Sequence, residues 1–291
     1  MNCEYLFFQG IAAAPARKEP ERTPVPEKVD RRVPSEEPAD DFLREVFAGA
    51  GLALEAYRSR ALSRRLAACL RFLRVPDVAG ARKRLSERPE LVDSMLDLVL
   101  LGVTEFGRDP EVFAQIREEI LPMWARLHRP LRVWSAACSD GRELLSVGIL
   151  LAEEGLLDQA ELLGTDCRAT AIATAQLGRY PAASLGHLQD SWRNCFARQR
   201  ELAVAPDALR RALRWRQANL LRGPEPGPWD LILWRNMAIY LEPESAGKVW
   251  PALVRELAPG GCLVTGKAEA PPRELPLERV GPCLYRKPFL S

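Results

Sequence analysis

Leu131-Arg-Val-Trp-Ser-Ala-Ala-Cys-Ser-Asp-Gly141 is the stretch whose reading decides the fold. Its first six residues, Leu131 to Ala136, read as a buried strand. Small residues then lead to Gly141, which opens a helix predicted to run through Glu153. A strand that passes through small residues into a helix N-terminus presents free backbone N–H groups, and a ligand can approach the chain closely there.

The same alternation repeats downstream. Ala160-Glu-Leu-Leu-Gly-Thr165 reads as the next strand, ended by Asp166, and a helix follows from about Arg168 to Leu177. Leu213 to Arg216 is a candidate strand and Trp229-Asp-Leu-Ile-Leu-Trp234 a strong one; a helix from Pro243 to Leu257 precedes the strand Gly261-Cys-Leu-Val-Thr265. Leu275 to Val280 and Cys283 to Lys287, around Gly281-Pro282, predict an antiparallel hairpin added at an edge. The pattern predicts an α/β fold with a mostly parallel, doubly wound sheet. Ligands of such sheets bind at the carboxyl ends of the strands, where strand order reverses. No G-x-G-x-x-G and no G-x-x-x-x-G-K-[ST] occurs, so dinucleotide and nucleoside triphosphate sites have no fingerprint here. Asp166 stands where an acid accepts hydrogen bonds from both ribose hydroxyls of an adenosine. An acid after a strand also caps helices, and on the residues alone both readings stay open.

Upstream, residues 42–101 read as helical, with Leu62, Leu66, Cys69, Leu70 and Leu73 on one face. A small all-helical domain is expected over 41–127, ahead of the sheet domain at 128–291. On the other faces lie Arg58, Arg60, Arg64, Arg65, Arg71 and Arg74, followed by Arg82, Lys83 and Arg84. With Asp77 the one acid among them, this run carries a net charge of +8. It is either a solvated face or a docking surface for an acidic partner. Residues 1–40 are expected to be a disordered leader and linker, because prolines alternate with charges from Pro15 to Asp41. Residues 4–10 look like a tobacco etch protease tag site and are set aside. No Lys or Arg precedes the apolar stretch from Tyr5 to Ala14, so a secretory leader is not expected.

Composition narrows the function. The 291 residues, 47% apolar and 27% charged, are enough for a large core. Forty-one Lys and Arg against 39 Asp and Glu leave a net charge of +2, too balanced for a chain that coats nucleic acid. The two histidines, His128 and His187, are too far apart for an H-E-x-x-H motif, and no metal site is expected. Seven cysteines stand singly with no C-x-x-C pair, which argues against a zinc ribbon or a disulfide framework and fits a cytoplasmic protein. No apolar run approaches the roughly 18 residues that cross a bilayer, so membrane insertion is not expected.

Four ordered segments then carry a resemblance. Val103-Thr-Glu-Phe-Gly-Arg-Asp-Pro110 resembles T-x-F-F-R-D-P, and Val133-Trp-Ser-Ala-Ala-Cys-Ser-Asp-Gly-Arg-Glu143 resembles W-S-A-x-x-S-T-G-E-E. Gly164-Thr-Asp166 with Gly178-Arg-Tyr180 resembles a D-I-D segment and a later G-x-Y. Asn219-Leu-Leu221 with Trp234-Arg-Asn-Met-Ala-Ile-Tyr240 resembles N-L-L and C-R-N-V-x-I-Y-F. Together, over residues 41–288, they resemble the CheR family of S-adenosylmethionine-dependent chemoreceptor glutamate O-methyltransferases. The resemblance implies a Rossmann-like class I methyltransferase sheet behind a small helical domain. It also implies S-adenosylmethionine as cofactor, with S-adenosylhomocysteine as product.

The resemblance further implies roles. Thr104 and Arg108 reach from the domain junction into the cofactor site, with Arg108 beside the transferred methyl and the incoming carboxylate. Asp166 holds the ribose, Asn219 and Leu220 the adenine, and Asn236 the methionine end; Arg235 belongs to the same cofactor-binding set. Tyr240 stands at the reacting centre and, with Arg108, is catalytic. The acidic methylation helices of chemoreceptors are the implied partners of the basic helical face. The sequence departs from the pattern at Gly102, Gly107, Asp140, Arg142, Leu144-Leu145, Trp234 and Gly266-Lys-Ala-Glu269. Arg142 puts a cation where an acid is expected near the cofactor, unfavourable unless it turns to solvent or meets the cofactor carboxylate. Residues 187–213 fall where some members carry a small receptor-docking β-subdomain; read directly, they predict a hairpin capping the sheet edge. The alternative function is a degenerate methyltransferase-fold protein that scaffolds a chemosensory complex.

Overall fold

In the computed structural model, which describes residues 36–58, 62–100, 102, 104–127 and 129–289, the alternation becomes a seven-stranded sheet. Helices come first: α1 (Glu36–Gly49), α2 (Leu66–Leu73), α3 (Val78–Glu87) and α4 (Leu91–Val99), followed by a broken helical stretch from Pro110 to Trp124. The chain then forms β1 (Leu131–Ala136), α5 (Arg142–Glu153), β2 (Ala160–Asp166), α6 (Ala169–Leu177), β3 (Arg179–Pro181), β4 (Ala197–Gln199) and β5 (Leu202–Val204). It continues with β6 (Leu213–Gln217), β7 (Trp229–Trp234), α7 (Pro243–Glu256), β8 (Leu257–Thr265), β9 (Glu278–Gly281) and β10 (Leu284–Arg286). The strand order is β6-β2-β1-β7-β8-β10-β9, parallel up to β8 and antiparallel in the last two. The chain builds outward from β1 to β6 and returns to β7, so strand order reverses between β1 and β7.

Period-two alternation assigns each strand residue to one of two cores. Leu131 and Val133 of β1, Leu231 and Leu233 of β7, and Cys262 and Val264 of β8 join one apolar cluster with α5. Trp134, Ala136, Ile232, Trp234 and Leu263 join the other. That second cluster also holds Phe42, Leu43, Val46 and Phe47 of α1, each fully buried. Burial of such side chains contributes roughly 1.5–3 kcal/mol each, so the helical segment shares its core with one face of the sheet.

A short ladder fastens the helical segment to a loop after β7. Arg58 N donates to Tyr240 O at 2.9 Å, Glu242 N donates to Ala56 O at 2.9 Å, and Tyr57 bridges Leu241. Across β2 and β6, Gly164 stands opposite Trp215. The indole fills the space a side chain would need, 2.4 Å from a Cβ at Gly164 and 2.5 Å from one at Gly141, whose φ is +86°.

Two expectations need correction. The linker does not extend to residue 40, because α1 begins at Glu36. The rest of that leader, together with Arg60, His128 and Val103, lies outside the described residues. The hairpin in 187–213 does not cap the main sheet. β4 and β5 pair with β3 in a separate antiparallel sheet, order β3-β5-β4, leaving β6 as the main edge.

Candidate functional site

The loops after β1 and β7 form a cleft with the segment that follows α4. Three residues without a glycine's freedom adopt left-handed backbone there: Ala137 (φ +59°), Ser139 (φ +54°) and Asn236 (φ +58°). Such conformations persist where the surrounding structure holds them, and they concentrate at functional sites. The cleft is narrow, with a cavity volume of about 100 Å³, below the roughly 300–1,000 Å³ of typical small-molecule sites. Thr104, Arg108, Asp166, Arg235, Asn236 and Tyr240 all line it.

Asn219 and Leu220 do not belong to that lining. The Asn219 side chain instead accepts from Leu221 N at 3.0 Å and caps the turn Leu220–Arg222. Sequence reasoning passed over Glu143, Ser139, Arg168 and Met237, which do line the cleft. The signal for Glu143 was the second acid of the G-E-E pattern; Arg168 stands two residues past Asp166, and the quoted patterns gave no signal for it.

Asp166 is buried at the end of β2. Its Oδ1 accepts from Arg168 N at 3.0 Å and Arg168 Nε at 3.1 Å; its Oδ2 accepts from Ser139 N at 2.8 Å and lies 3.5 Å from Arg168 Nη2. Glu143 accepts from Ser135 Oγ at 2.9 Å and from Arg235 Nη1 at 3.0 Å. Arg235, its side chain 1% exposed, also pairs with Asp109 at 2.6 Å and donates to Arg108 O at 2.9 Å. The turn from Asn236 to Tyr240 hangs on one carboxylate. Glu269 accepts from Asn236 N, Gly266 N and Ile239 N at 2.6, 2.9 and 3.2 Å, so the acid that ends Gly266-Lys-Ala-Glu269 is in place. Burial pushes the Cys138 thiol well up and the Cys167 thiol to about 12, so both stay protonated and inert.

Arg142 departs from the expectation attached to it: its side chain is only partly exposed and is not itself part of the cleft lining, but it reaches back to the carbonyl of a residue that is. Its guanidinium donates to Thr104 O at 3.0 Å, pairs with Asp140 at 3.3 Å, and lies 5.8 and 5.3 Å from the Phe106 and Tyr180 ring centres. Burial raises the Asp140 carboxyl although Arg142 opposes it. Phe106 and Tyr180 meet edge to face at 5.0 Å, which gives the cation an aromatic wall. Among the described residues no cluster of three or more His, Cys, Asp or Glu could hold a metal ion, and no helix is long and apolar enough to cross a membrane.

A five-stranded parallel sheet extended by an antiparallel pair, with a glycine turn after its first strand and an acid closing its second, defines a class I S-adenosylmethionine-dependent methyltransferase. The residues present suit that cofactor: Asp166 and Glu143 put two carboxylates in the cleft, acceptors for hydroxyl and ammonium groups, and Asp166 closes β2 at the strand end where such sheets bind ligands. A family profile described as CheR methyltransferase, SAM binding domain, matches residues 102–279, and the chain belongs to that family. A chemotaxis protein methyltransferase of Vibrio parahaemolyticus is 31% identical over 204 residues, 67% of this chain and 72% of its own. One from Listeria monocytogenes is 26% identical over 230 residues, 78% of this chain and 88% of its own. The probable biofilm formation methyltransferase WspC of Pseudomonas aeruginosa is 30% identical over 242 residues, 79% and 56% of the two chains.

Proposed function

We propose that the protein transfers a methyl group from S-adenosylmethionine to glutamate carboxylates of chemoreceptors, giving methyl esters in adaptation of chemotaxis-type signalling. The observation that carries this reading is the cleft itself: Arg108 and Tyr240 line the same cavity as Asp166 and Asn236. The bound cofactor supplies an electrophilic methyl on a sulfonium. A glutamate carboxylate, with a pKa of about 4.3, is already ionised at neutral pH and needs no base. Arg108 positions that carboxylate, and Tyr240 shapes the reacting centre. Asp166 takes the ribose, and Glu143 and Asn236 take the methionine end. Orientation in a dry pocket then supplies most of the rate. The exposed arginines of the helical segment, Arg64, Arg65, Arg71 and Arg74, meet the acidic methylation helices.

The test is methyl transfer from radiolabelled S-adenosylmethionine into membranes containing candidate receptors, with base-labile release of methanol marking an ester. Label in receptors that is released as methanol supports the reading; no receptor label from folded, cofactor-binding protein overturns it. A second reading, a scaffold that keeps the fold without turnover, draws on the engagement of Asp166 by Arg168. It predicts receptor binding without methyl transfer.

A further inference from the structure

An ionised carboxylate has about four lone-pair sites, two on each oxygen. At Asp166 the protein uses all four, two for the backbone N–H groups of Ser139 and Arg168 and two for the Arg168 fork. A ribose diol needs two of these sites, and the side-chain pair is the one that can leave. Arg168 is otherwise held by Leu100 O at 3.1 Å, Ser139 Oγ at 3.0 Å and Asp97 at 3.6 Å. Its departure does not part the helices, because Asp97 keeps its bond from Thr170 Oγ1 at 2.6 Å, joining α4 to α6.

A second position tells the same story. Gly102, one of the sequence departures, lies directly against the fork. A Cβ there would come within 2.2 Å of Ser139 Oγ and 2.6 Å of Arg168 Nη2. Gly102 and Arg168 therefore belong together: the missing side chain at 102 is what lets the guanidinium reach Asp166.

Resting on the cofactor reading above, we infer that Arg168 is a positioning residue that competes with the cofactor's ribose for Asp166 and thereby sets cofactor affinity. Binding exchanges an internal ion pair for the ribose bonds, so the wild-type protein holds its cofactor more weakly than the same cleft without the plug.

Calorimetric titration with S-adenosylhomocysteine and with its 2′-deoxy analogue tests this in wild type, Arg168→Gln and Gly102→Asn. The second variant keeps Asp166 and Arg168 and crowds the fork together with the Ser139 hydroxyl that holds it, so it covers the case in which Arg168→Gln fails to fold. Each folded variant should bind S-adenosylhomocysteine about tenfold tighter than wild type, since charge-assisted bonds to Asp166 no longer have to be broken. For the deoxy analogue the gain should shrink to under about threefold, which a general change in stability would not produce. In the wild type the Arg168 Nε–H resonance should shift on saturation with S-adenosylhomocysteine. Equal or weaker binding by folded variants, or an unmoved resonance at saturation, overturns the inference and leaves the cofactor reading intact. Binding by none of the three proteins overturns both.

Discussion

At the scale of single residues, two charged side chains decide different things. Arg142 was legible as a departure, but its destination was not, because Thr104, Phe106 and Tyr180 come from sequence positions that no local pattern links to it. With the cation placed against Asp140, Arg142→Glu should set two carboxylates together in a half-buried position. Losing such charge-assisted bonds costs roughly 1.5–3 kcal/mol; urea unfolding should show that loss, and an unchanged midpoint would refute the placement. Glu269 works through its two oxygens. Glu269→Gln replaces one acceptor oxygen with an NH2 that faces backbone donors, so about 1–3 kcal/mol of stability should be lost. Because the turn carrying Asn236 and Tyr240 hangs on it, turnover should fall with it. Full turnover in that variant would show that the turn is held by other contacts.

At the scale of elements, the arginines of the helical segment fall into two groups by their surroundings. Arg58 donates through Nε to Leu241 O at 3.0 Å, inside the ladder that fastens the loop of Tyr240. Arg58→Ala should therefore lower turnover and stability while leaving the salt dependence of receptor methylation unchanged. Arg64, Arg65, Arg71 and Arg74 are exposed and form no ion pair among the described residues. Neutralising these four should raise the Michaelis constant for receptor and flatten its salt dependence, with no loss of stability. Wild-type kinetics at both low and high salt would mark the run as a solvated face. The strands β1, β2, β7 and β8 were readable because their alternation serves two large cores. β3 was not, since three residues ending in proline carry no period, and its pairing with β5 is set by tertiary contact alone.

At the scale of the whole molecule, Arg235 joins regions that the sequence keeps apart. Its pairs with Asp109 and Glu143 connect the segment before β1 to the N-terminal turn of α5, and Lys267 meets Asp109 from the opposite side at 3.1 Å. Arg235→Ala would leave two carboxylates facing an empty buried space, at roughly 3–5 kcal/mol. The melting temperature should drop by several degrees, whereas Lys267→Ala, at an exposed pair, should leave it unmoved. The doubly wound sheet was legible from its alternation, and six cleft-lining residues, Thr104, Arg108, Asp166, Arg235, Asn236 and Tyr240, from the motifs that carry them. The network around Arg235 and the plug at Asp166 were not, because they arise from side chains that meet only after the sheet has closed.

The indole of Trp215, seated over Gly141 and opposite Gly164, has a consequence for how this chain changes over generations. The three positions share one volume, so none of them is free to mutate alone. A library pairing substitutions of Gly164 with substitutions of Trp215 should recover Gly164→Ala only in clones that also carry a smaller side chain in place of the tryptophan. Lineages that trade the tryptophan away should be the ones in which Gly164 is released from purifying selection, while Gly141 stays fixed by its left-handed backbone at φ +86°.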